Sequence, residues 1–257
     1  MTIRIKTPVD IKILREGGKR HAFILKQVAK AVAPGVTAKS LDDLAARLIV
    51  EGGDTAAFLN YKPYGAKRPY PASLIVSVND AVVHGIPNEK EIILKEGDIV
   101  SLDLGLVHKG MITDAAVTVP VGKVSKEAKL LMRATKEALA AAIKEARPGN
   151  TTGHIGHAVE CVIRPLGFGI VQELAGHGVG YSVHEDPYVP NYGEPGDGEL
   201  LVPGMVIAIE PIINVGSEKV KLDRADGYTY RTVDGSLSAH FEHTVAITKR
   251  GAIILTK

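Results

Sequence analysis

A block of residues that returns 114 positions later constrains the fold of this chain more than any other feature. Lys30, Pro34, Gly35, Thr37, Ile49 and Gly53 recur as Lys144, Pro148, Gly149, Thr151, Ile163 and Gly167. The matches fall where helices stop and start. Asp10 to Ala33 carries Ile11, Leu14, Phe23, Leu25, Val28 and Val32 among its apolar positions, and Pro34-Gly35 ends it. A second helix opens near Thr37, whose hydroxyl caps free N–H groups, and runs to Gly52-Gly53. The later copy keeps that order: a helix from Ser125 to Arg147, Pro148-Gly149, a Thr cap at Thr151 or Thr152, and a helix to about Leu166 before Gly167. The chain therefore reads as two similar αα-then-β halves, about 10–120 and 125–250. No low-complexity linker divides them. The expectation is one α+β domain over residues 1–257, with the strands of both halves in a shared antiparallel sheet and helices covering it. A cleft at the pseudo-symmetric seam is the natural site.

The strand signals are Leu74–Val83, a hairpin of Ile99–Val107 and Met111–Val119 around Lys109-Gly110, Val206–Ile213, and Phe241–Thr248. Acids stand inside these apolar runs: Asp103, Asp114, Glu210 and Glu242. An isolated ionised carboxylate in such a place must be protonated, paired or bound to a cation. If Lys109-Gly110 is a two-residue turn, Asp114 faces Gly105. Period-two alternation then puts Asp103, Gly105 and Asp114 on one face, with Gly105 leaving room between the acids. A three-residue loop would spoil that parity. The plain alternative, pairing with Lys or Arg at a strand end, is weakened because 99–107, 111–119, 205–213 and 237–248 contain neither residue. Two divalent cations would neutralise the four carboxylates, and His177, flanked by glycines, is the best nitrogen ligand.

These blocks carry a resemblance. Asn79 to Pro87 with His84, Gly97 to Asp103 followed by Thr113-Asp114, Gly176-His177-Gly-Val-Gly180 leading to His184-Glu-Asp-Pro187, Pro203 to Pro211 with Glu210, and Ser238 to Thr244 with Glu242 resemble the type I methionine aminopeptidases across nearly the whole chain. The resemblance implies the pita-bread fold. With no zinc-finger extension, and no room between His184 and Glu210 for a large helical insertion, the short bacterial form is expected.

Carried over position by position, the resemblance implies that Asp103 chelates one metal, His177 and Glu210 the other, and that Asp114 and Glu242 bridge both. The expected reaction is hydrolytic removal of the initiator methionine from a nascent polypeptide when the second residue is small. A metal-activated water attacks the scissile carbonyl, Glu210 shuttles the proton, His184 donates to the developing oxyanion, and His84 contacts the scissile amide nitrogen. The segment Phe58 to Tyr70, with Tyr61, Tyr64 and Tyr70, together with Tyr228, is expected to wall a methionine pocket. Val183, Ile75 and Tyr228 stand where Phe, Cys and Trp are common in the family, which bears on the breadth of that pocket. The donor set admits manganese, iron, cobalt or zinc. Proline-specific aminopeptidases and creatinase-like enzymes are the nearest rivals within the fold. A ligand-free relative acting as a binding protein is disfavoured by the intact ligand positions.

The remaining features are less informative. His154 and His157 are expected in surface or packing roles, and strand alternation turns His243 away from Glu242 while leaving His240 on its face. Cys161, the single cysteine, excludes an internal disulfide, and its apolar neighbours suggest a buried small hydrophobe with no positioned base, against a cysteine hydrolase. No run of about eighteen uncharged apolar residues marks a membrane span, and Met1 to Pro8 has no signal-peptide core. The expected address is the cytoplasm and the expected state a monomer. Thirty-one Lys+Arg against 29 Asp+Glu give +2, which announces no membrane or sequence-specific nucleic-acid partner. If metals compensate four of those acids, 31 cationic groups face 25 anionic ones elsewhere. That modestly basic exterior is expected to favour transient ribosome contact.

Overall fold

The computed structural model describes residues 3–257. Helix α1 (Pro8–Ala31) begins two residues before the sequence expectation, because Thr7 and Asp10 form a reciprocal cap and Pro8 occupies the first turn, where its missing N–H costs nothing. Helix α2 (Ala38–Glu51) is capped by Thr37 on the Ser40 amide at 3.1 Å. There follow β1 (Thr55–Ala56), β2 (Leu74–Val78), β3 (Ala81–Val83), β4 (Ile99–His108) and β5 (Met111–Pro120). The second half repeats the start: Ser125 caps α3 (Lys126–Glu145), and Thr151 opens α4 (Thr152–Ile163), which tightens into a single 3-10 turn, Arg164–Leu166. Then come β6 (Gly169–Ile170), β7 (Gly176–Gly178), β8 (Glu185–Val189), β9 (Val206–Ile209), β10 (Ile212–Asn214), β11 (Val220–Leu222), β12 (Tyr230–Thr232), β13 (Ser238–His240), β14 (His243–Thr248) and β15 (Gly251–Ile254).

Helices α1 and α2 bury Leu25, Val28, Leu41 and Ile49 against Leu74, Leu102, Leu104 and Leu106. Helices α3 and α4 bury Leu131, Leu139, Ile155 and Val159 against Ile207, Ile209, Val245 and Ile247. Each of these side chains contributes about 1.5–3 kcal/mol by leaving water. Among the described residues all strand pairs are antiparallel, and the strands group into four sheets. In the first half β4 pairs with β1, β2 and β5, and in the second the order is β15-β14-β9-β7-β8.

The halves meet along β5, which faces the β13–β14 segment. Glu242 donates its amide to the Ala116 carbonyl at 2.9 Å. To one side the Thr118 hydroxyl accepts from the His240 amide and donates to its carbonyl, both at 2.8 Å. To the other, the Thr244 hydroxyl makes the same two bonds with Asp114, at 2.8 and 2.7 Å. Facing pairs are thus 118 with 240, 116 with 242 and 114 with 244, a constant antiparallel register in which two hydroxyls act as spacers.

The hairpin settles the parity question. Lys109 and Gly110 both have positive φ, 49° and 79°, forming a two-residue turn whose twist suits a hairpin. Gly105 pairs with Asp114. The space above Gly105 is filled, however, not open: a Cβ there would lie 2.7 Å from Phe58 Cε1. Two expected strands are interrupted beside the cleft, Leu74–Val83 at Asn79-Asp80 and Val206–Ile213 at Glu210-Pro211, and a third, Phe241–Thr248, begins only at His243. Cys161 is exposed, contrary to expectation, with His157 Nε2 3.4 Å from its sulfur. The buried face of α4 is Ile155, Val159 and Ile163, and a residue two positions past Val159 points away from it.

Candidate metal centre

Strands β4 and β5 carry Asp103 and Asp114 side by side, β7 carries His177, and the breaks before β10 and β14 present Glu210 and Glu242. Asp114, His177 and Glu242 each offer a ligand atom, all within 4.8 Å of one another. Glu210 Oε1 lies 3.6 Å from His177 Nε2. Asp103, Asp114 and Glu242 are buried, and each keeps one carboxylate oxygen without a hydrogen-bond partner. Such orphaned oxygens in a low-dielectric site must be protonated, paired or bound to a cation. Burial, and then the negative charge of neighbouring acids, raises Asp114 and Glu242 well above the ordinary carboxylate range. Burial pushes Asp103 up to about 7, against the pull of the His240 imidazole. Burial would raise Glu210 too, but three imidazoles outweigh it, His240 foremost, and hold it lower.

His177 is prepared as a ligand. Its Nδ1 lies 2.9 Å from the Gly178 carbonyl, which only accepts, so Nδ1 carries the proton and the Nε2 lone pair faces Glu210 and the acids. The donor set, four carboxylates and one imidazole, suits divalent cations, and no Lys or Arg occupies the strands that carry it.

His84 follows β3 in the left-handed region at φ 59°, a costly conformation for a side chain with a Cβ and one that functional sites retain. Burial drives its imidazole down to about 4, so it is neutral at pH 7. His184 sits edge-on to His177 with ring centroids 4.5 Å apart, and Tyr61 Oη lies 2.9 Å from its Nδ1. Burial, reinforced by His177, lowers His184 to about 3.

The site residues line a cavity of about 440 Å³. Phe58, Tyr70, Ile75, Val183 and Tyr228 pack into one apolar cluster beside the acids. Tyr70 donates to the Gly85 carbonyl at 2.7 Å and stands edge-on to Tyr228, whose hydroxyl bonds the Arg68 carbonyl. Tyr64 also lines the cavity, although most of its side chain is exposed.

Three residues near the acids and the cavity were given no site role from sequence. His240 is buried, with Nε2 3.3 Å from Glu210 Oε2 and 3.8 Å from Glu242 Oε2; its shared face with Glu242 was the available signal. Tyr230 lines the cavity with its ring 6.0 Å from His84, two residues beyond Tyr228. Asn191 donates to the Glu210 carbonyl at 2.9 Å, a contact no sequence pattern announces. His243 points away, to Thr256, and His154 accepts from the Thr151 amide at the start of α4, as expected of residues outside the centre.

A family described as "Metallopeptidase family M24" matches residues 12–249. The chain belongs to this family of metal-dependent hydrolases. Within it, the chain stands with the bacterial type I methionine aminopeptidases. It is 43% identical to methionine aminopeptidase 1 of Bacillus subtilis over 98% of both chains, and 45% identical to the methionine aminopeptidase of Aquifex aeolicus over the full length of both. The crystal structure of methionine aminopeptidase from Thermotoga maritima superposes with a TM-score of 0.93 at 44% identity, covering all of both chains. Prolidase from Pyrococcus furiosus superposes at 0.76 with 25% identity, over 98% of this chain and 65% of the prolidase. The pita-bread fold is common to both comparisons.

Proposed function

We propose that this chain removes the initiator methionine from nascent polypeptides whose second residue is small, using two divalent cations held by Asp103, Asp114, His177, Glu210 and Glu242. The observation that carries this reading is the set of buried, orphaned carboxylate oxygens around a histidine whose free nitrogen faces them, at the base of an aromatic cavity. Asp103 would help hold one cation and His177 and Glu210 the other, with Asp114 and Glu242 available to both. Bound cations would supply Lewis acidity, polarising a carbonyl and lowering the pKa of a water.

The chain's own groups supply the rest. Glu210, held as a carboxylate by its imidazole neighbours, accepts a proton from the attacking water and passes it to the leaving amine. The Tyr61 hydroxyl lies 2.9 Å from Nδ1 of His184; in this reading it is the donor, which leaves the proton on Nε2 to meet the developing oxyanion. His84, neutral, contacts the scissile amide nitrogen. The wall formed by Phe58, Tyr70, Ile75 and Tyr228 accepts a flexible thioether.

The chain acts in this reading as a single domain and a monomer in the cytoplasm, with a modestly basic exterior that brings it transiently to the ribosome. Manganese, iron, cobalt and zinc all suit the donors.

A peptide panel assayed with each cation tests the function. Met-Ala-Ser and Met-Gly peptides release methionine and Met-Lys peptides do not. Equal turnover of Xaa-Pro substrates, or no release from Met-Ala-Ser with any divalent cation, overturns the assignment.

A further inference from the structure

The segment before α1 reaches across the molecule into the loop that carries His184. Lys6 Nζ lies 2.6 Å from Glu185 Oε2, and the two side chains are only 1% and 4% exposed. The other carboxylate oxygen of Glu185 accepts the amides of Tyr181 and Ser182 at 2.6 and 2.9 Å. One carboxylate thus closes loop 181–185 on itself while the ammonium fixes that closed loop to the N-terminal segment. Neighbouring contacts keep Lys6 in place. Its amide donates to the Gly204 carbonyl at 2.8 Å, and its stem covers Gly180, where a Cβ would come within 2.6 Å of Lys6 Cε. Tyr181 is held from both sides, by Arg4 4.1 Å from its ring centroid and by its own hydroxyl donating to Asp10 at 2.6 Å. On the far side of the loop, Gly180 accepts the Ile112 amide at 2.7 Å.

We propose that Lys6, acting through Glu185, is a positioning residue for His184: the buried ion pair fixes the loop so that the imidazole is held beside His177 and Tyr61 and aimed into the cavity. This inference rests on the aminopeptidase reading for the role of His184. Burying two ions is costly unless they are paired and further bonded, and here the Glu185 carboxylate also accepts two loop amides. A donor to an oxyanion must hold its place to a fraction of an ångström, so slack in the loop is felt in the transition state more than in substrate binding.

The test compares Lys6→Met with the unaltered protein in kcat, KM, bound metal and amide exchange. Lys6→Met is expected to lower kcat on Met-Ala-Ser roughly 10- to 100-fold, to change KM much less, to keep the metal content, and to hasten exchange at Tyr181 and Ser182. An unchanged kcat overturns the proposal, as does a loss of kcat that follows loss of metal. Because Lys6→Met leaves a buried carboxylate without its cation, Lys6→Met/Glu185→Leu is measured beside it, and decides if the single variant does not fold. In the double variant, reduced kcat with metal retained supports the positioning role, and unreduced kcat rejects it. If the unaltered protein releases no methionine, the aminopeptidase reading fails by itself; exchange at the two loop amides then decides whether Lys6 holds the loop.

Discussion

Asp103, Asp114 and Glu242 retain protons at pH values where exposed carboxyls have lost them, because burial and mutual repulsion disfavour their charged forms. A cation must expel those protons to bind. Their pKa values in the metal-free fold are raised, so the protonated fraction grows as pH falls through about 7, the value to which Asp103 is pushed. Calorimetry in buffers of different ionisation heat should therefore detect proton release on metal binding. The release should grow, and apparent affinity weaken, as pH is lowered through neutrality. Binding without proton release in that window would mean the carboxyls are already ionised. These acids were legible from sequence because charge inside an apolar strand is conspicuous, and the hairpin parity gave the relation of Asp103 to Asp114. His240 was less legible, since a histidine in a strand carries no such contradiction and its neighbour Glu210 arrives from another strand. Lys6 and Glu185, 179 positions apart, leave no local trace of their pairing.

At the scale of elements, the helices were readable to within a few residues because Thr37 and Thr151 or Thr152 mark two starts and Pro-Gly pairs mark the stops, while the Thr7–Asp10 cap went unread and α1 starts two residues early. The strand breaks were not. Val206–Ile213 looks continuous in hydrophobicity, yet it breaks at Glu210, and Phe241–Thr248 starts only after Glu242, both acids that line the cavity. The seam explains how broken strands still hold a fixed register. Thr244 supplies with one hydroxyl both the acceptor for the Asp114 amide and the donor for its carbonyl, so this element pair sets where Asp114 sits relative to Glu242. Thr244→Val keeps the shape and removes both bonds, leaving buried backbone groups unpaired at about 1–3 kcal/mol each. The variant should melt several degrees lower and bind divalent cations more weakly. Thr118→Val, acting on His240 in the same way, should melt lower as well. Native melting and metal affinity for Thr244→Val would show that the hydroxyl is dispensable to the register.

For the molecule as a whole, the five proposed ligands divide between the halves: Asp103 and Asp114 stand on β4 and β5, while His177, Glu210 and Glu242 come after α4. Direct bonding across the seam includes the Glu242 amide and the two threonine hydroxyls. Without cations, the same seam gathers buried carboxyl groups whose charged forms repel one another and are disfavoured by burial. Cation binding should therefore act as a cross-link between halves, stabilising the native state and not the unfolded chain, whose ligands are dispersed. At a free concentration near 100 times the dissociation constant the gain is about 2.7 kcal/mol. For a chain of this size each kcal/mol is worth roughly 2–4 °C, so saturation should raise Tm by roughly 5–10 °C, and a chelator should reverse it. Asp103→Asn removes a first-half ligand and Glu242→Ala a second-half ligand, and each should shrink that shift even where its own metal-free Tm is unchanged or higher, since each also relieves the repulsion. Scanning calorimetry at matched pH with cation and with chelator makes the measurement. Identical melting in the two conditions would mean that the carboxylates at the seam bind no cation strongly enough to join the halves.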